Sequence, residues 1–190
     1  MRTDSAVSPA AGKISLRLVR LDEADARLLL RWRNDPITRN ASFDTAERDW
    51  IAFWPWFRDS YVRPDLPPPV IVEIDGTPAA SIRFDKPRVA RHTSSDAVEI
   101  SIHVAPEVRR RRVGLEALAL CRSYLAAQGR RTIVAIVKAE NEASLRFFAR
   151  AGYRRVGTDS VNMLSEAPPA EVVVFVQEPL DSAKGETTCG

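Results

Sequence analysis

From Ile14 to Arg20 apolar and basic residues alternate, the period-two pattern of a half-buried first strand. Asp22 then opens a helix, with Asp25 in its first turn and Leu21 before it as a hydrophobic staple. Ala24, Leu28 and Trp32 recur along it at spacing four, and Asn34-Asp35-Pro36 stops it. A second helix is expected from near Asp44-Thr45, where Trp50, Phe53, Trp54 and Phe57 repeat at helical spacing and Pro55 ends or kinks the run.

The stiff segment VRPDLPPP leads to two strands at 70–75 and 78–84, joined by a tight Asp75-Gly76 turn. Ala97 to Val104 is a further strand, with Val98, Ile100, Ile102 and Val104 on one face and Glu99, Ser101 and His103 on the other. A long helix from about Val113 to Gln128 closes at Gly129. Thr132 to Val137 is continuously apolar, as in a strand covered on both faces. Asn141 to Arg150 forms a short helix ended by Gly152, and Tyr153–Gly157 and Val172–Val176 are the last strands. The order βααβββαβαββ describes a single α/β domain without internal repeats.

Length and composition narrow this further. The 190 residues suffice for one domain, drawn at 14–180, with mobile tails expected at 1–13 and 181–190. A net charge of +3 gives little overall drive toward nucleic acid or membrane. Cys121 on a helix and Cys189 beside the C-terminus do not suggest a disulfide framework. The N-terminus lacks a signal-like apolar core, and no apolar run reaches bilayer length, so a cytoplasmic location is expected.

VRRRRVG, from Val108 to Gly114, joins a strand to a helix through four consecutive arginines. A hydrated turn, a nucleic-acid contact and an anion cradle are all open to such a run. Amide groups at a helix start favour anions, and Gly114 permits close approach. Neither a Walker sequence nor a GxGxxG fingerprint is present. Two histidines, far apart and without ligand-like partners, argue against a metal site.

VAPEVRRRRVG resembles the acetyl-CoA pyrophosphate loop of the GNAT superfamily of N-acetyltransferases, whose pattern is Gln/Arg-x-x-Gly-x-Gly/Ala. Arg109 fits the first position and Gly114 the last, whereas Arg112 replaces the middle glycine and Arg110 a frequent one. NEASLRFFARAGY resembles the Asn-x-x-Ser helix of the same family, which lies beside the cofactor. The resemblance covers about residues 14–177 and implies a mixed, mostly antiparallel sheet of about seven strands and about four helices, splayed between strands 4 and 5.

The resemblance also implies acetyl-CoA as acyl donor, with no metal. Cofactor contacts are then expected from His103, Val104, Arg109, Arg110, Arg111, Arg112, Val113, Gly114, Asn141, Ser144 and Phe148. Backbone amides near His103 and Val104 would hold the pantetheine arm. Glu99 is the expected base, acting directly or through water, and His103 its rival, because a protonated amine has no lone pair to attack a thioester. Phe148 stands where many relatives carry a proton-donating tyrosine, which leaves Tyr124 and Tyr153 as substitutes only if they reach the cleft.

LLLRWRNDPITRNASF resembles the first-helix segment of acetyltransferases acting on nucleotide-linked amino sugars, including those of the pseudaminic acid pathway. A similar segment occurs in ribosomal-protein N-terminal acetyltransferases. Trp32, Arg33, Asn34, Arg39 and Trp56 are the expected acceptor contacts. The partner expected is a small-molecule amine, with a nucleotide sugar as one candidate; nucleic acid and membrane are not expected, and a homodimer stays open. The competing readings are a peptide N-terminal acetyltransferase, a non-catalytic acyl-CoA-binding module and, on the arginines alone, a nucleic-acid module.

Overall fold

A computed structural model describes residues 12–89, 95–161 and 170–177; the expected tails lie outside these except for Gly12 and Lys13. Strand β1 (Ile14–Leu18) leads into helix α1 (Glu23–Asn34), whose N-cap Asp22 accepts from Asp25 N at 2.9 Å. Asp35 ends α1 and at once caps a further short helix, α2 (Pro36–Ala41), by accepting from Thr38 N at 2.9 Å. Pro36 suits the first helical position because its missing N–H would have no partner there. The stop expected at Asn34-Asp35-Pro36 is therefore also a start, and the described chain has five helices.

Helix α3 (Trp50–Ser60) begins later than the start expected near Asp44-Thr45, at the Asp49 cap, which accepts from Ala52 N at 2.8 Å. Pro55 lies inside it without ending it. The carbonyl of Ile51 loses its i+4 donor there, on a turn whose Ile51 side chain is exposed. Strands β2 (Val70–Ile74) and β3 (Thr77–Asp85) are joined by Asp75 and Gly76 at φ of 49° and 75°, the two positive angles a type I′ turn needs. Then come β4 (Ala97–Val104), α4 (Val113–Ala127), β5 (Thr132–Lys138), α5 (Glu142–Arg150), β6 (Arg154–Val161) and β7 (Ala170–Gln177).

The seven strands form one sheet in the order β1-β2-β3-β4-β5-β7-β6. Every pairing is antiparallel except β4 with β5. That one parallel contact spans only Ala97↔Thr132, Val98↔Ile133 and Glu99↔Val134, after which the strands diverge. Helices α4 and α5 bury Leu118, Leu125 and Phe148 against one sheet face with Ile82 and Val98. Helices α1 and α3 cover the other with Trp32, Phe53 and Phe57 around Ile71.

The buried stripe of α1 is Asp25, Ala26, Leu29 and Trp32, whereas Ala24 is exposed. This rotation from the expected stripe follows from Asp25, 2% exposed, which receives Arg17 Nη1 and Nη2 at 2.6 and 2.7 Å and Arg20 N at 2.8 Å. Burial alone would raise the Asp25 carboxyl, but these donors hold it below the usual carboxylate range. A buried carboxylate with matched donors thus sets the face that α1 presents.

Candidate functional site

The divergence of β4 and β5 exposes backbone. Ala105 N donates to Ala79 O at 2.9 Å, in the same register as Ala80↔Val104 and Ile82↔Ile102. Antiparallel alternation then turns the amides of Ser101 and His103 toward β3 and those of Ile102 and Val104 toward the gap. Of the two amides expected to serve there, that of Val104 faces the gap, whereas that of His103 faces β3 and leaves its side chain to the cavity. A cavity of about 830 Å³ opens here, reaching from α1–α3 across the gap to α5.

Below the gap, the arginine run forms the entry to α4. Arg110 and Arg112 adopt φ of 64° and 63°, the left-handed region that favours glycine. The backbone therefore holds a glycine-type curve with arginines in it, and Arg112 serves as N-cap without a side-chain bond. The first backbone bonds of α4 run from Leu115 N and Glu116 N to Arg112 O, so the amides of Val113 and Gly114 keep no intrahelical acceptor. Arg110, Arg111 and Arg112 are exposed, and no carboxylate pairs with them among the described residues. Their charge and the amides of the helix start fit a polyphosphate.

Two expected loop roles change. Arg109 does not point free: its Nη2 lies 2.5 Å from Asp35 Oδ2 and 2.9 Å from Thr38 Oγ1, pinning the loop to the start of α2. Gly114 is small for a packing reason as well, since a Cβ there would stand 2.9 Å from Phe147 Cε2 and 3.3 Å from Val104 Cγ2.

On α5, Asn141 caps the helix by accepting from Ser144 N at 3.1 Å, and both residues line the cavity. Phe148 is 6% exposed, packs on Tyr153 and Phe175 with centroids 5.2 and 5.9 Å away, and touches the cavity from the core. Neither substitute acid is among the lining residues: Tyr124 donates to Pro68 O at 2.8 Å, and Tyr153 Oη is buried without a partner among the described residues. Tyr61, which the sequence reading missed, does line the cavity, and burial pushes its hydroxyl up to about 12.

Of the expected acceptor contacts, Arg33 and Trp56 line the cavity. Trp32, 1% exposed, is core, so the acceptor contact expected of it does not fit. Asn34 is occupied by the Arg48 backbone, donating to its carbonyl at 2.7 Å and accepting from its amide at 3.0 Å. Arg39 donates to Thr45 O at 3.1 Å and pairs with Glu47 at 2.9 Å. Both hold the segment between α2 and α3 rather than the cavity wall.

The floor is one face of the sheet, where register sets Ser81 opposite His103 and Arg83 opposite Ser101. The sequence reading missed Ser81 and Arg83; the alternation in SIRFD is the signal that could have set them on a polar face, and the pairing shows what they meet. Of the two expected bases, His103 lines the cavity. Burial first, then the guanidinium groups of Arg33, Arg83 and Arg109, bring its imidazole down to about 4, so it is neutral at physiological pH. Glu99 is 2% exposed and is not a lining residue. Arg88 stands across it, donating from its backbone N at 3.2 Å and through its guanidinium.

The family model described as an acetyltransferase (GNAT) domain matches residues 15–154. No curated protein matches the chain. The structure is similar to that of an N-acetyltransferase from Staphylococcus aureus Mu50, with 20% identity, TM-score 0.67 and coverage of 87% of this chain and 98% of that one. It is similar to the aminoglycoside acetyltransferase AAC(6')-Ib in complex with coenzyme A, at 17% identity and TM-score 0.71, covering 87% and 95%. A ribosomal-protein-alanine N-acetyltransferase from Brucella melitensis gives 19%, TM-score 0.65, and 86% and 99%. At such identities these likenesses speak for the fold.

Proposed function

We propose that this chain, which belongs to the GNAT acetyltransferase family and is an acetyl-CoA-dependent N-acetyltransferase, takes a nucleotide-linked amino sugar as its acceptor. Acetyl-CoA supplies the acetyl group as a thioester. The loop from Arg110 to Gly114 would hold its phosphates through the helix-start amides and the unpaired arginines. The Val104 amide, turned into the gap, would align the pantetheine arm and polarise the thioester carbonyl. Asn141, Ser144 and Phe148 would form the far wall.

The observation that carries the reading is the opening of β4 from β5 directly above the start of α4, with His103 beside it. The acceptor amine must lose a proton before it attacks. His103 is the nearest base and already holds its lone pair. Glu99 is the second base, reached only through water with Arg88 across it. The cationic groups that depress His103 act the same way on a bound ammonium, favouring the neutral amine.

The acceptor reading rests on Arg33 and Trp56 on the same wall, a cation and a ring face suited to phosphate and to base or sugar. Release of coenzyme A from acetyl-CoA, measured with a UDP-linked amino sugar and with peptides bearing free N-termini, tests it. Turnover of the amino sugar with formation of the amide is expected. Turnover of peptides alone would move the acceptor to protein N-termini.

A further inference from the structure

On the acceptor side of the cavity three arginines, Arg33, Arg48 and Arg83, are met by two carboxylates, Asp44 and Asp85. Arg33, Arg48 and Arg83 line it, and Asp44 is the one carboxylate among the lining residues. Asp44 bonds Arg48 at 2.5 Å and lies 3.8 Å from Arg33 Nη2. The Arg33 side chain is 15% exposed, and its Nη1 is buried with no hydrogen-bond partner among the described residues. An unmet charged donor in a cavity wall is costly, and an oxygen anion would relieve that cost.

Arg83 comes from the sheet. Asp85 takes its Nε and Nη2 at 3.1 and 2.7 Å, which fixes the plane of the guanidinium. Its Cζ lies 5.8 Å from the Trp56 ring centroid and 6.0 Å from that of Tyr61, so two lining aromatic rings flank it. Arg33, Arg83, Arg109 and His103 all line this one cavity.

We propose that Arg33 and Arg83 form a subsite for an anionic oxygen group of the acceptor, so that the acceptor is an amine carrying a phosphate or a carboxylate near its nitrogen. This rests on the acetyl-transfer reading of the same cavity. Register fixes the spacing: Arg83 faces Ser101, and His103 is the next residue on that face, roughly 7 Å along the strand. An acceptor whose nitrogen reaches His103 therefore presents its anion only a few bonds away. Amines without an anionic group leave Arg33 Nη1 unmet and gain nothing from Arg83, and polyamines add repulsion, so both are disfavoured.

The test uses full-length protein saturated with coenzyme A, so that the cofactor's phosphate site is filled. Calorimetric titration with UMP and with glutamate then reads the remaining anion site, in wild type, Arg83→Gln, Arg83→Lys and Arg33→Lys. Binding of UMP weakened at least tenfold by Arg83→Gln is expected and marks a phosphate as the anion. Binding of glutamate alone, with the same loss, marks a carboxylate and keeps the subsite. Failure of both to bind, or binding indifferent to all three substitutions, overturns it. In parallel, coenzyme A release is measured with a UDP-linked amino sugar, glutamate and ethanolamine. Arg83→Gln should raise KM for the anionic amine at least tenfold and leave KM for acetyl-CoA unchanged. Equal turnover of ethanolamine would sink the subsite alone, whereas no turnover of any amine beside retained UMP binding would sink the acetyl-transfer reading alone.

Discussion

Arg109, the first arginine of the loop before α4, sets its Nη2 2.5 Å from the Asp35 carboxylate, 74 positions earlier in the chain. Asp35 simultaneously caps α2, so one side chain fastens the loop before α4 to the start of α2. Asparagine is an equally good cap but carries no charge. Asp35→Asn should cost about 1–2 kcal/mol in urea denaturation, and Asp35→Ala roughly 1 kcal/mol more. The bond from Arg109 is the largest influence on the Asp35 carboxyl and holds it below its usual range despite burial. Its contribution is therefore complete above the unfolded carboxylate pKa and fades as pH falls through the lower folded value. Asp35→Asn should lack that acid loss.

Arg112 at φ 63° bears a conformational cost that glycine would not. Arg112→Gly should raise stability by about 0.5–1 kcal/mol, the left-handed strain relieved less the entropy gained by the unfolded chain. Affinity for coenzyme A should drop several-fold in the same variant, because the phosphate loses a charge partner. Thermal unfolding and calorimetry check the two effects separately. A variant more stable and equally tight would remove Arg112 from the cofactor site.

Gly114→Ala should destabilise the protein by about 1–3 kcal/mol, since the new methyl meets the Phe147 ring at 2.9 Å and Val104 at 3.3 Å. Pairing it with Phe147→Leu should recover part of that loss. An unchanged denaturation midpoint for the single variant would show that packing does not set this position.

His103, held near 4, is already deprotonated through neutral pH. The profile of kcat/KM against pH should show no inflection near the ordinary imidazole value of about 6.5. His103→Gln should lower kcat/KM about 100-fold and Glu99→Gln about tenfold. Full activity of Glu99→Gln across pH would remove Glu99 as a base. The unfolded chain binds the His103 proton at higher pH than the folded one, so stability falls with acidification between about 6.5 and 4. That loss, at most roughly 3 kcal/mol, should shrink in His103→Gln.

Local chemistry made much of this legible before any coordinates. Alternation gave Ala97–Val104 its true bounds and put Glu99, Ser101 and His103 on one face. Gly129 and Gly152, at φ of 71° and 81°, ended their helices as expected. The start of α4 and the Asn141 cap were readable because each depends on residues adjacent in sequence. The acceptor wall was less so. Trp32, Asn34 and Arg39 have side chains as suited to a ligand as Arg33 and Trp56, yet one fills the core and two hold backbone.

The sequence by itself determined the order of elements, the polar and apolar faces, and the loop that turns a helix start toward an anion. All of these follow from the period of side chains along a backbone and from short-range capping. Tertiary structure alone decided that β4 leaves β5 after three paired positions, that Arg88 stands across Glu99 while His103 stays open, and that Arg83 meets Arg33 around one cavity. These outcomes depend on which distant charges are brought together and buried, and burial turns an ordinary arginine, glutamate or histidine into either a clamp or a binding group.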